Sequence, residues 1–223
     1  MTESQTPLAV TIEPVAQTGA ANMAADRAML DAVIAGGCPT LRWYRWNEPT
    51  ISLGRFQDDD PVVEPSLPRV RRESGGGAIR HDREWTYAIA LPRGACPGNE
   101  PVRLYRVFHE AIIEALTRYG ATVRLRGVAE EERDGAFLCF LRGDANDLLL
   151  PDGRKVVGSA QRRARGCILQ HGSLLWNDAE GGGLNDIYPA LPPITDAAAI
   201  LQTISGLVAD SLSLRTVFSS PLH

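Results

Sequence analysis

The chain has 223 residues, 44% of them hydrophobic, enough to bury one large core or two small ones. A net charge of −4 argues against a general nucleic-acid binder, and no apolar run approaches the ~20 residues of a membrane span. The first residues, MTESQTPLAV, lack a basic stretch followed by an apolar one, so no signal peptide is expected. The four cysteines, Cys38, Cys96, Cys139 and Cys167, show no CxxC spacing, which argues against a structural zinc site and for free thiols in a cytoplasmic protein.

In chain order, residues 1–18 read as a first edge strand or a loose arm, with Leu8, Val10 and Ile12 alternating. Asn22 is the expected cap of a helix through about Ala35, ended by Gly36-Gly37. Thr40 to Arg45 and Thr50 to Leu53 read as strands about an Asn47-Glu48-Pro49 turn. Trp43, Tyr44 and Trp46 are candidates for the core or for a pocket wall. Arg69 to Arg72 reads as a strand entering Ser74-Gly75-Gly76-Gly77-Ala78. Three glycines in a row weaken a strand, but they suit a backbone that must approach another group closely. Arg71 and Arg72 beside them favour an anionic ligand. Trp85 to Leu91 is a strand, and Asn99-Glu100-Pro101 opens the clearest helix. On it Leu104, Phe108, Ile112 and Leu116 recur at helical spacing, with His109 read as structural and Gly120 as the stop.

Ala121 to Leu125 follows as a strand, then an acidic loop at Glu130 to Asp134 and an extended Phe137 to Phe140. Asn146 to Leu150 and Arg154 to Val157 pair about the turn Pro151-Asp152-Gly153, and Gly166 to Leu175 is a last strand. Glycines and prolines between Gly181 and Pro193 make a linker, and Thr195 caps a final helix that buries Ile200, Leu201, Ile204 and Val208. The predicted architecture is therefore α+β. A single domain over residues 1–223 is expected, with mixed, largely antiparallel sheets and about three main helices.

One count bears on chemistry. The chain has 22 arginines and one lysine, Lys155. Arginine is permanently charged, whereas lysine is a compact ammonium whose proton can move. A free thiol is mostly protonated at neutral pH, and an adjacent ammonium favours the thiolate. Cys139 stands 16 residues before Lys155. Arg162, Arg163 and Arg165 form a basic cluster that reads either as a solvated face or as a site for an acidic partner.

Two stretches carry a family resemblance. Arg71-Arg72-Glu73-Ser74-Gly75-Gly76-Gly77-Ala78-Ile79-Arg80-His81-Asp82 resembles the RRxSGGGAxxHD signature of the biotin/lipoate protein ligase superfamily. Gly153 to Gln161, followed by Leu169-Gln170-His171-Gly172-Ser173, resembles that superfamily's second signature. Glu84-Trp85-Thr86-Tyr87, the short C-terminal segment and the Cys139–Lys155 spacing are similar to cysteine-type octanoyltransferases. That resemblance implies transfer of an octanoyl group from acyl carrier protein to a lysine of a lipoyl domain, through a thioester on Cys139 with Lys155 beside it. Substrate would be held by Arg72, Ser74, Gly75, Gly76, Gly77, Ala78, Ile79, His81, Gly158, Ser159, Ala160, His171 and Gly172. No metal or cofactor is implied. The alternatives are an ATP-dependent lipoate ligase, which would use ATP and Mg, an amidotransferase between lipoyl domains, and a non-catalytic acyl- or carrier-binding module. Partners would be acyl carrier protein and lipoyl domains, with no nucleic acid and no membrane.

Overall fold

The computed structural model describes residues 5–59, 64–82, 84–92, 94–95, 101–127, 144–175 and 196–219. The strands are β1 (Pro7–Ile12), β2 (Thr40–Tyr44), β3 (Thr50–Leu53), β4 (Arg69–Arg71), β5 (Ile79–His81), β6 (Trp85–Leu91), β7 (Arg124–Leu125), β8 (Leu148–Leu149), β9 (Lys155–Ala164), β10 (Cys167–Leu174) and β11 (Arg215–Phe218). The helices are α1 (Gly19–Ile34), α2 (Pro101–Arg118) and α3 (Ala197–Ser211). An eight-stranded sheet runs in the order β11-β1-β2-β6-β10-β9-β8-β7, and a three-stranded sheet runs β4-β3-β5. β1 pairs in parallel with β2 and β11, while β2, β6, β10, β9, β8 and β7 pair antiparallel in turn.

The centre of the large sheet is buried on both faces, so each side chain's face follows from the period-two alternation of a strand. Leu41 and Trp43 of β2, with Tyr87, Ile89 and Leu91 of β6, join Leu104, Phe108 and Ile112 of α2 and Ile200, Leu201 and Ile204 of α3 in one core. Tyr44, Ala88, Ala90 and Leu169 alternate to the opposite face and pack with Leu30 and Val33 of α1. Alanines at 88 and 90 keep that face thin, so α1 lies close on β6 and β10. Trp43 Nε1 donates to Ser205 Oγ at 3.0 Å, which gives the buried indole a partner inside the core.

Several local expectations change. β1 lies between β2 and β11 and so is not an edge strand. Its outer neighbour β11 follows the last helix and had no clear signal in a short Arg-Thr-Val-Phe run. Thr18 caps α1 through its side chain to the Ala21 N–H, and Asn22 is instead buried one turn inside. There Asn22 Nδ2 donates to the Arg45 carbonyl and its Oδ1 accepts from Arg42. Asp196 caps α3 by accepting from the Ala199 N–H, while Thr195 lies outside the described residues. β9 runs on to Ala164, well past Val157, and Ile79–His81 form a strand that the glycine run disguised. The acidic loop, the segment Phe137 to Phe140 and the Gly181–Pro193 linker also lie outside the described residues.

The small sheet sits against the glycine-rich loop. A Cβ on Gly54 would run into the Gly76 carbonyl oxygen, a backbone atom that cannot swing aside. Gly54→Ala is therefore expected to shift the loop and cost about 1–3 kcal/mol, read as a lower urea midpoint with an unchanged slope.

Candidate active site

α1, the small sheet and strands β6, β9 and β10 enclose a cleft of about 410 Å³ of atom-free space, its mouth included. It is lined by Met23, Tyr44, Trp46, Ser52, Arg72, Ile79, His81, Thr86, Gly158, Ser159, Ala160, His171, Gly172 and Ser173. Eight of the residues expected to hold substrate are among these: Arg72, Ile79, His81, Gly158, Ser159, Ala160, His171 and Gly172. The two signature stretches, 70 or more residues apart in sequence, thus meet at one place. Register explains half of this, because β9 and β10 pair with His171 opposite Ala160, Gly172 opposite Ser159 and Ser173 opposite Gly158.

Ser74, Gly75, Gly76, Gly77 and Ala78 stand behind the cleft rather than on its wall. Arg72 is the reason the loop holds its shape. Its Nη1 donates to the Ser52 carbonyl at 2.8 Å, and its Nη2 donates to the carbonyls of Gly75 at 2.8 Å and Gly77 at 2.6 Å. Arg71 Nη1 likewise donates to the carbonyls of Gly54 and Gln57, both at 2.7 Å. The sequence raised an anionic-ligand reading beside these two arginines; in the structure both donate to backbone carbonyls of the protein, and Arg72 also lines the cleft. Ala78 packs with Ile51 and Leu53 in a small apolar cluster.

Each described histidine faces a serine. His81 Nε2 lies 2.7 Å from Ser52 Oγ, with Nδ1 2.5 Å from Glu84 Oε1, and its ring stacks on Trp46 at 3.8 Å. His171 Nε2 lies 2.5 Å from Ser74 Oγ, and its Nδ1 is 3.5 Å from Asp26 Oδ2. His109 Nε2 lies 2.7 Å from Ser159 Oγ, and its Nδ1 contacts the Asn146 carbonyl. A carbonyl only accepts, so Nδ1 of His109 carries the proton and Nε2 accepts from Ser159. Gln170 Nε2 donates to Tyr87 OH at 2.8 Å, which leaves the phenol proton for Ser159 Oγ at 2.6 Å. The order Gln170, Tyr87, Ser159, His109 is a hydrogen-bond chain running one way into the imidazole. Burial is the first cause of a lowered pKa in all three rings, opposed by Glu84 at His81 and by Asp26 at His171. Burial takes His109 down to about 4, against the pull of the Asn146 carbonyl.

Lys155 is 8% exposed, and its Nζ lies 2.9 Å from Asp147 Oδ1. Burial raises the Asp147 pKa and the Lys155 ammonium opposes that rise. Asp147 Oδ2 also accepts from the Asp144 N–H at 2.8 Å. The lysine stem folds over Gly158, where an added Cβ would stand 2.7 Å from Lys155 Cε and 2.9 Å from Nζ. The ammonium is therefore held beside the cleft wall at Gly158. Cys139 lies outside the described residues, and Cys96 does too. Cys167 is buried, with its Sγ 3.5 Å from the Val33 carbonyl, and Cys38 is exposed.

Sequence reasoning did not assign Asp147, Ser52, Glu84, Tyr87 or His109 to the site. Asp147 had a usable signal: the Pro151-Asp152-Gly153 turn folds Leu149 onto Lys155, which brings Asp147 near the same lysine. His109 had none, since its position beside an apolar helix face is what a core histidine also shows.

The lipoyl protein ligase A/B catalytic domain model matches residues 18–193. The chain belongs to this family. Among curated relatives, it is 36% identical over 183 residues to the octanoyltransferase LipM of Staphylococcus epidermidis, covering 75% of this chain and 65% of that protein. It is 37% identical over 172 residues to the octanoyltransferase LipM of Kyrpidia tusciae, covering 71% of this chain and 62% of that one. The chain thus spans somewhat less than two thirds of the length of these relatives. Two solved structures share the fold. Protein Ta0514 of T. acidophilum, solved with bound lipoic acid, has a TM-score of 0.69 at 18% identity, covering 98% of this chain and 91% of that one. A lipoate-protein ligase A bound with ATP has a TM-score of 0.64 at 18% identity, covering 98% and 90%. No helix among the described residues is long and apolar enough to cross a membrane.

Two outcomes follow from these geometries. Removing one partner of a buried ion pair leaves the other charge stranded, so Asp147→Ala is expected to cost about 3–5 kcal/mol in urea unfolding. His109 binds its proton more weakly in the fold, at about 4, than at ~6.5 in the unfolded chain. Across that window the unfolded chain holds more protons, so stability is full above ~6.5 and falls as pH drops toward 4. His81 and His171 act in the same direction. The share from His109 is about 3 kcal/mol, and His109→Gln should flatten the acid limb of stability against pH.

Proposed function

We propose that this chain transfers an octanoyl group from acyl carrier protein to a lysine of a lipoyl domain, through a thioester on Cys139. The observation that carries the reading is the convergence of both signature stretches on one cleft, with the only lysine of the chain held beside it by Asp147. Family membership and relatives named as octanoyltransferases support it. Cys139 belongs to residues 128–143, whose two flanks are tied together next to the lysine's partner. Arg126 N donates to the Asp147 carbonyl at 2.8 Å, and Gly127 N donates to the Ala145 carbonyl at 3.1 Å. Asp144 is five positions after Cys139, and five extended steps reach roughly 17 Å.

In the first half-reaction the Cys139 thiolate attacks the donor thioester carbonyl. A new C–S bond forms, the old one breaks, and the carrier sulfur leaves as a thiolate that takes up a proton from solvent. In the second, the neutral acceptor amine attacks the enzyme thioester, a C–N bond forms and the C–S bond breaks, the amine gives up a proton to solvent, and Cys139 leaves as thiolate. The Lys155 ammonium favours the thiolate in both halves. One thioester exchanges for another in the first step, so the reaction is proposed to need neither ATP nor a metal. The cleft, walled by Met23, Trp46 and Ile79, takes the acyl chain.

Octanoyl carrier protein mixed with the enzyme, without ATP, should leave one octanoyl mass on a peptide containing Cys139, and Cys139→Ala should leave none. Lys155→Met should slow adduct formation at neutral pH by tenfold or more, with recovery as the pH is raised toward the thiol's own pKa. Transfer that survives Cys139→Ala and requires ATP would mean an adenylate-forming ligase instead.

A further inference from the structure

Beyond Ala160, residues of α1 and β9 with Arg55 and Glu73 line a second, more open cavity of about 650 Å³ of atom-free space, its open mouth included. Alternate residues of β9 share a face. Gly158 and Ala160 line the cleft, and the next two on that face, Arg162 and Ala164, line the second cavity. On α1, Met23 lines the cleft and Arg27, one turn later, lines the cavity. From Gly158 to Arg162 is roughly 13 Å of strand.

The cavity is basic. Arg27, Arg55, Arg162 and Arg165 line it against two carboxylates, Asp31 and Glu73, leaving a formal charge of 4 − 2 = +2 in a chain whose net charge is −4. Both carboxylates are engaged by Arg27, and Glu73 also by Arg55. Among the described residues, neither Arg162 nor Arg165 forms an ion pair, and the Arg162 Nε is buried without an acceptor. A buried guanidinium donor with no acceptor costs stability unless something fills the place. Arginine forks fit phosphate oxygens in pairs.

We propose that this cavity binds the phosphate ester of a phosphopantetheine arm, the group that bears the acyl thioester on a carrier. The proposal rests on the transfer reaction above for the identity of the arm, but its test reads binding and not turnover. Arg162 and Arg165 hold the phosphate, and the arm lies along β9 toward Gly158 and the ammonium of Lys155.

The test is calorimetric titration at fixed ionic strength with 4′-phosphopantetheine, pantetheine and inorganic phosphate. The phosphorylated arm is expected to bind about tenfold tighter than pantetheine and than inorganic phosphate. The double variant Arg162→Gln/Arg165→Gln should abolish that preference, while Arg163→Gln, exposed and outside the cavity lining, should keep it. Arg165→Gln alone, in the exposed β9–β10 turn, should reduce the preference if the double variant does not fold. Equal binding of the two arms, a preference unchanged by these substitutions, or inorganic phosphate binding as tightly as the phosphorylated arm would each overturn the proposal. A missing Cys139 adduct would remove the transfer reading and leave this binding result standing, so the two failures are distinguishable.

Discussion

A buried ammonium is tolerated only with a partner, because taking it from water costs several kcal/mol. Lys155 meets that constraint through Asp147, and much of the site's geometry follows from it. The pairing needs the β8–β9 turn, which brings residue 147 to residue 155. It needs glycine at 158, since the lysine stem occupies the space of a Cβ there. Asp147 also ties together Arg126 and Asp144, since its carbonyl accepts from the first and its carboxylate from the second.

A second constraint is proton direction. Asn146 supplies a carbonyl to one nitrogen of His109, which forces the other to accept from Ser159. Glu84 fixes His81 in the same tautomer, with Ser52 on the far nitrogen. Gly172 is part of this arrangement: a Cβ there would strike Ser159 Oγ and stand 2.6 Å from Tyr87 Cε1. The glycine of the His-Gly-Ser run thus makes room for the hydroxyl pair across the sheet. Desolvation lowers the pKa of all three imidazoles, which disfavours a histidine charge beside the cleft.

The fold class was legible because its signals are local: period-two strands at 50–53 and 85–91, and a helix from 101 whose apolar stripe is unmistakable. The site was legible where it lies in contiguous signature stretches. What escaped was long-range. A short Arg-Thr-Val-Phe segment becomes a strand only because β1 offers it a parallel edge more than 200 residues away. Asn22 looks like a cap by type, but it satisfies Arg42 and the Arg45 carbonyl inside the protein. Arg71 and Arg72 look like ligand binders by position. Closing three glycines against Gly54, however, leaves carbonyls that need donors, and these side chains supply them.

The same accounting explains the lone lysine. Arginine serves wherever a fork must span two or more acceptors, as Arg72 does across Ser52, Gly75 and Gly77. At position 155 the stem lies over Gly158, where an added Cβ would stand 2.7 Å from Lys155 Cε, and the single nitrogen lies 2.9 Å from Asp147 Oδ1. A planar guanidinium is bulkier than an ammonium and is a poorer fit for that close approach over Gly158. The choice between the two cations is therefore steric as well as chemical: the Arg72 fork holds converging carbonyls, and the compact ammonium of Lys155 meets the Asp147 carboxylate beside the cleft wall.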